Sequence, residues 1–472
     1  MRLVRGHPGL PDMTTCRCAW WAAGILLVVL SAMQAGPAAA ALPPQIVVYL
    51  DQYMPATAVM TLTLQDVSLV GEGADVPLEL APGGLSLTQP PARQVRLIDQ
   101  TVPAGRYRGM RFRLSITYAM NDTTVRVDTL NTFLDMELPL DQGDIAPLFL
   151  SLHAVGTEGD EGRAVVDIEI MEARIPPFNS LLFVSNEESN NVSVIDRVAG
   201  RVVDVLTTGE RPAGMTFSRF TRELFVANAG DHTVTVFDVT TRQLLRRLRL
   251  DLGDEPTRLA LSPDSRFLYV LATGSNSLVV YDANSNQESG RFSLGLQAVG
   301  LAVDPVAGWV YISNELSDNI SVFDPIQQMV VTTIPAGSLP TELVFVSPDN
   351  LLCAASSGQR VVTVLSSTGN LQATAGLCAV AHGLAYDRVG GTAYASIAMC
   401  NELAVFQPAN GLSLGTVPLP GQPGLLTLDP ENRTLLAALP EQDRIVIVNL
   451  TGNRVVAVVD VGRRPYMVVV AL

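Results

Sequence analysis

Leu-Phe-Val-Ala-Asn-Ala-Gly-Asp-His-Thr-Val-Thr-Val-Phe-Asp, residues 224–238, is a β-rich run, a polar turn, a second β-rich run and a turn-forming residue. The pattern starts again at Leu182, Leu268, Val310, Leu352, Ala393 and Leu435, a spacing of about 42 residues. A four-stranded unit of this length cannot bury its faces alone. Copies must stack, and closing the stack into a ring leaves no long exposed edge.

Working outward, each copy is followed by an outer run such as Arg201–Thr208, Leu244–Leu250 or Arg454–Val461. A turn-rich link then leads into an inner run, as in Arg211–Phe217 or Glu255–Leu261. The first copy begins at its second strand, near Leu181, and the last inner run is Arg464–Ala471. The C-terminal run is therefore predicted to be the innermost strand of the first blade, joining the two ends of the ring by ladder hydrogen bonds.

Residues 43–175 lack the repeat and alternate instead. Met110, Phe112, Leu114 and Ile116 are apolar between Arg111, Arg113 and Ser115, and Ile168 and Ile170 alternate with Asp167 and Glu169. Period-two runs separated by Gly and Pro turns predict an antiparallel β-sandwich. Ile175-Pro-Pro-Phe178 opens a stiff joint, taken as a linker over 176–180. The predicted fold is all-β: an antiparallel β-sandwich over 43–175, then a seven-bladed β-propeller over 181–472 closed by the C-terminal strand.

Residues 1–40 read as a secretory signal. Arg2, Arg5 and Arg17 precede an apolar run, and Ala38–Ala41 offers small residues for cleavage. The alternative is an uncleaved anchor, since Ala19–Leu42 carries no charge. No membrane insertion is expected after cleavage, and the expected location is periplasmic, secreted or at the cell surface. The formal charge is −15. An acidic chain repels phosphate backbones, so nucleic acid is not an expected partner. Every basic residue except histidine is arginine, which excludes Schiff-base and lysine-nucleophile chemistry.

Of the cysteines, Cys353, Cys378 and Cys400 lie beyond residue 40. Cys353 falls inside a β-rich run and reads as a small buried hydrophobe. Cys378 and Cys400 fall in turns, and an oxidising compartment permits them to pair.

Leu268-Tyr-Val270, Val310-Tyr-Ile-Ser-Asn314 and Leu224-Phe-Val-Ala-Asn228 resemble the YVTN family of β-propeller repeats, which is similar to the lactonase-like propellers. The turns Ser262-Pro-Asp264 and Ser347-Pro-Asp349 fit the same pattern. The resemblance covers residues 181–472, and the fifth to seventh copies depart from it. It implies an extracellular or periplasmic propeller, most often a binding or scaffolding module and sometimes an enzyme. Thr101–Leu114 resembles one strand pair of bacterial transthyretin-like or carbohydrate-binding-like sandwiches.

Asp196, Asp238, Asp282 and Asp324 suggest a carboxylate ring. They recur just before a tight turn where Ser366 and Asn449 also occur, so they read as turn caps. Gly411–Gly415 matches a nucleophile-elbow string but lies where a turn and strand are expected rather than a helix. Cys378-Ala-Val-Ala-His382 lacks the second cysteine of a haem-attachment motif, and the histidines do not converge on a zinc site. No catalytic residue, metal or cofactor is expected.

A binding face is expected where the starts of the inner strands meet the turns after the second strands. Its candidates are Arg211, Asn228, Asp231, His232, Glu255, Arg258, Asn314, Glu342, His382 and Arg464, with Asn186 beside them. Arg258 and Glu342 hold positions where other copies have Gly, Leu or Met; a charge near the crowded axis must be paired or wet. The expected function is a non-catalytic binding or scaffold protein taking a protein, peptide or glycan partner of the cell envelope. The alternatives are a lactonase-like hydrolase or periplasmic redox-associated subunit, and a surface structural or adhesion component.

Overall fold

The computed structural model describes residues 42–53, 59–80, 94–120, 123–126, 130–158, 163–171 and 174–472. The expected signal, residues 1–40, lies outside them. The described residues contain no helix long and apolar enough to cross a membrane.

Among the described residues the N-terminal domain has nine strands: β1 (Gln45–Tyr53), β2 (Val59–Gly71), β3 (Val76–Pro77), β4 (Val95–Thr101), β5 (Gly105–Met120), β6 (Thr123–Arg126), β7 (Leu130–Leu140), β8 (Ile145–Glu158) and β9 (Arg163–Met171). One sheet has the order β4-β1-β8-β9; the other has β3-β2-β5-β6, with β7 also pairing β5. Ile46, Val48, Leu50 and Ile98 from the first sheet and Leu69, Met110 and Phe112 from the second share one buried core. The two sheets thus face each other across that core, and the alternation at Met110 and Phe112 arises from it. Arg111, between them, points out and pairs with Asp75 at 2.7 Å. The expectation of a purely antiparallel sandwich needs correction. β1 and β8 run parallel, Gln45 opposite Ile145 through Tyr53 opposite His153. A long connection separates them in sequence, which a parallel pair requires.

The strand β1 also buries its second face. Val47 and Tyr49 turn away from the sandwich core and pack, with Phe149, against Leu182, Val202, Val205, Ile447 and Val468. Tyr49 stacks on Phe149 with ring centroids 5.6 Å apart. Each such side chain contributes roughly 1.5–3 kcal/mol when fully buried.

Residues 181–470 form seven four-stranded antiparallel sheets. The first blade is Pro465–Val470, Leu181–Asn186, Asn191–Asp196 and Arg201–Thr207, counted outward from the axis. The clasp is present: Leu182 pairs with Val470, Phe183 with Val469 and Val184 with Val468. The inner strands of blades two to seven are Pro212–Ser218, Pro256–Leu261, Ala298–Val303, Pro340–Val346, Gly383–Asp387 and Leu426–Asp429. Second strands such as Leu224–Val226 are buried throughout, because both of their faces meet neighbouring blades.

The outermost strands separate by burial. Leu244–Arg249 and Leu371–Gly376 are largely exposed, whereas Arg201–Thr207 is largely buried. The N-terminal domain covers it. Gln94 binds the backbone of Val202 on both sides, at 2.7 and 3.0 Å. Arg96 reaches Asp443 of the seventh blade at 2.6 Å, while Asp99 accepts from Ser189 of the first. The sandwich therefore lies across the seam where the first and last blades meet.

Candidate functional site

The recurrent polar residues are first of all devices of the repeat. Asp196 Oδ1 accepts from the N–H groups of Val198 and Ala199, and Asp238, Asp282 and Asp324 do the same two and three residues on. Asn449 repeats the geometry, and Ser366 caps through Asn370. The carboxylate ring is a ring of turn caps.

Asn228 and Asn314, expected on the binding face, brace their own hairpins. Both are fully buried. The amide of Asn228 donates to Thr233 and Thr235, and that of Asn314 to Asn319 and Ser321, bracing each hairpin from within. Asn186 does likewise with Asn191 and Ser193. Oδ1 of Asn314 accepts from Gly295 N–H at 3.1 Å, whereas Oδ1 of Asn186 and of Asn228 are buried without a hydrogen-bond partner.

A second device ties blade to blade. The last residue of the polar turn is left-handed and offers a side-chain acceptor to the start of the next inner strand. Asn190 accepts from Arg211 N–H at 2.8 Å, His232 Nδ1 from Glu255 at 3.2 Å, Asp318 from Leu339 at 2.8 Å and Asp443 from Arg464 at 2.8 Å. Asn276 makes the same link one residue later, to Ala298. The receiving residues Arg211, Glu255, Leu339 and Arg464 are themselves left-handed. Asn, Asp and His tolerate that conformation better than most residues and carry the acceptor it needs.

These links place turns and strand starts on one face. There Arg211 and Arg464, both exposed, flank Glu187 at 3.1 and 3.3 Å, and Glu188 lies 3.7 Å from Arg464. Arg463 adjoins them and approaches Asp99 of the sandwich at 3.8 Å. Asp231 accepts from the Thr233 hydroxyl at 2.7 Å. His382 is exposed on the link before the sixth blade, apart from this cluster. Cys378 and Cys400 are joined as a disulfide between that link and the turn of the same blade. Cys353 is buried, and desolvation pushes its thiol up to about 12.

Farther round, Asp254 lies beneath the link from the second blade to the third. Arg291 clasps it with Nη1 at 2.8 and 2.9 Å, and Ser275 donates at 2.6 Å. Burial alone would raise this carboxyl, but the Ser275 and Arg291 hydrogen bonds outweigh it and hold the group below its usual range. A lowered folded value stabilises the fold above the unfolded value of about 3.9, and that contribution is lost as pH falls through the folded one. Asp254→Asn should cost about 2–4 kcal/mol near neutrality. In urea titrations from pH 7 to pH 2 the gap from wild type should close on the acid side; a constant gap contradicts the assignment.

At the axis, Arg258, Glu342 and Tyr466 meet. They come from the third, fifth and first blades, which are not neighbours, so their side chains cross the central space. Arg258 Nη2 donates to Glu342 at 2.8 Å, Nη1 donates to the Tyr466 hydroxyl, and the guanidinium lies 5.1 Å from the Tyr466 ring centroid. Side-chain exposure is 13% for Arg258 and 15% for Glu342. Burial opposes the charge on Arg258, but Tyr466 and Glu342 more than offset it and keep the guanidinium above its ordinary value.

The neighbouring blades make room. Gly214, Gly300 and Gly383 hold the corresponding positions, and a Cβ on each would strike the backbone of the next inner strand. Leu425 and Met467 complete the ring. Large and small residues thus alternate about the hub. Tyr466 is an axial partner that the sequence pattern did not single out; its signal is an aromatic ring on the inner strand where the third and fifth blades have Thr257 and Thr341.

The profile of the YNCE-like beta-propeller family matches residues 173–471, and the chain belongs to that family. Among solved structures it resembles Kuenenia stuttgartiensis hydrazine synthase, with TM-score 0.52 and 16% identity over 58% of this chain and 93% of that one. It also resembles the dihydro-heme d1 dehydrogenase NirN in complex with DHE, with TM-score 0.51 and 14% identity over 64% and 77%. A functionally unknown protein from Desulfotomaculum acetoxidans gives TM-score 0.54 and 13% identity over 62% and 98%. At these identities the likeness is one of fold. Comparison with curated proteins gave no match.

Proposed function

We propose that the chain is an exported, non-catalytic binding or scaffold protein, periplasmic or at the cell surface. Its propeller would present the face of turns and inter-blade links to a protein, peptide or glycan partner. One observation carries this reading. The axial charges are little exposed, whereas Glu188, Arg211, Arg463 and Arg464, with half-buried Glu187 among them, form a largely exposed mixed-charge cluster beside the seam. Such a cluster suits orientation of a polar partner. The hydrolase alternative draws no support from Glu342, whose carboxylate is occupied by Arg258.

The test is affinity capture from envelope extract with the exported chain as bait. Wild type is compared with the double variant Arg211→Glu, Arg464→Glu, after melting curves establish that both are folded. The expected result is one dominant partner recovered by wild type and lost by the variant. Recovery of the same proteins by both, or of none by wild type, overturns the assignment to this face.

A further inference from the structure

The sixth blade carries a group of side chains that the proposed function does not use. Sγ of Cys378, Sγ of Cys400 and a carboxylate oxygen of Glu402 all lie within 4.8 Å of one another. Glu402 directs Oε1 to within 3.2 Å of Cys378 Sγ. In the disulfide form neither sulfur has a proton to donate, so the carboxylate faces two electron-rich atoms. Two independent facts thus point to a cation: paired sulfurs, and a carboxylate turned onto them.

We propose that the dithiol form of this rim binds one soft divalent cation, of the zinc or cadmium class, through Cys378, Cys400 and Glu402. Two thiolates and a carboxylate make a donor set for such an ion, and a water would complete four-coordination. The chemistry balances in two steps. A dithiol reductant passes two electrons and two protons to the disulfide, leaving two protein thiols and its own disulfide. The cation then displaces one proton from each thiol and binds both sulfurs. A two-electron oxidant such as a small-molecule disulfide takes the electron pair from the two bound thiolates and leaves as its own dithiol, while the Cys378–Cys400 bond re-forms and the cation is released. The same two loops are thus tied by a covalent bond in one redox state and by a metal in the other.

The test uses the full chain carrying Cys16→Ser and Cys18→Ser, reduced with a phosphine that does not bind metals, and titrated with cadmium chloride. The readout is the thiolate-to-cadmium charge-transfer absorption together with bound metal after gel filtration. The expected result is one cadmium per chain in the reduced protein and none after reoxidation. Cys378→Ser and Cys400→Ser should each lower affinity by about 100-fold, and Glu402→Gln by about tenfold. Cys353→Ser should change nothing. Thiol titration and circular dichroism identify folded, reduced samples. A folded sample with two reactive thiols that takes up no cadmium overturns the proposal. So does uptake that survives both cysteine substitutions.

Discussion

A chain cut after Arg464 should fail to hold its ring. Deleting Pro465–Leu472 removes the strand that pairs with Leu182–Asn186, and with it the buried side chains Val468, Val469, Val470 and Ala471. Val468 and Val470 belong to the cluster shared with the sandwich, while Val469 and Ala471 belong to the one shared with the second blade. Three buried valines at roughly 1.5–3 kcal/mol each, with lost ladder bonds at roughly 0.5–1.5 kcal/mol each, are comparable to the whole stability of an ordinary domain. The truncated protein should be aggregation-prone and digested by protease under conditions where the intact chain survives. Val468→Ala gives a graded version, costing about 1–3 kcal/mol in urea unfolding. An unchanged melting temperature in the truncated chain would refute the clasp as the closing element.

Glu342→Ala should be among the most damaging single substitutions. It leaves Arg258 charged, little exposed and without its carboxylate, a change expected to cost about 3–5 kcal/mol. Replacing both charges, as Arg258→Met with Glu342→Leu, should recover most of this, to within about 1–2 kcal/mol of wild type. Urea unfolding of Arg258→Met, Glu342→Leu and the double variant beside wild type makes a complete cycle. A Glu342→Ala cost below about 1 kcal/mol would mean that water, rather than Glu342, satisfies the guanidinium.

The repeat was legible because its signal is local: each blade writes the same strand, turn and cap into consecutive residues. The clasp was legible by subtraction, since the first copy lacked an inner strand and the last run lacked a blade. The charges at Arg258 and Glu342 stood out against Gly214, Gly300 and Gly383, but their pairing did not, because it joins residues 84 apart in sequence. The bracing role of Asn228 and Asn314 was not legible, for a physical reason. A polar side chain at the end of a strand looks the same in sequence whether it faces a ligand or braces its own hairpin.

The seam was missed altogether, although two signals were present. Ile46-Val-Val-Tyr-Leu50 is apolar at every position, which a half-exposed strand is not. Arg201-Val-Val-Asp-Val-Leu206 is more apolar than Leu244-Leu-Arg-Arg-Leu-Arg249, its counterpart in the next blade. Together they mark two surfaces that cover each other.

The meeting of Arg258, Glu342 and Tyr466 has a consequence for what can pass. The hub is stoppered by three side chains from three separate blades, so no polymer can be threaded through the wheel like an axle. What the axle would have joined, the plug divides: the two mouths of the wheel are separate surfaces.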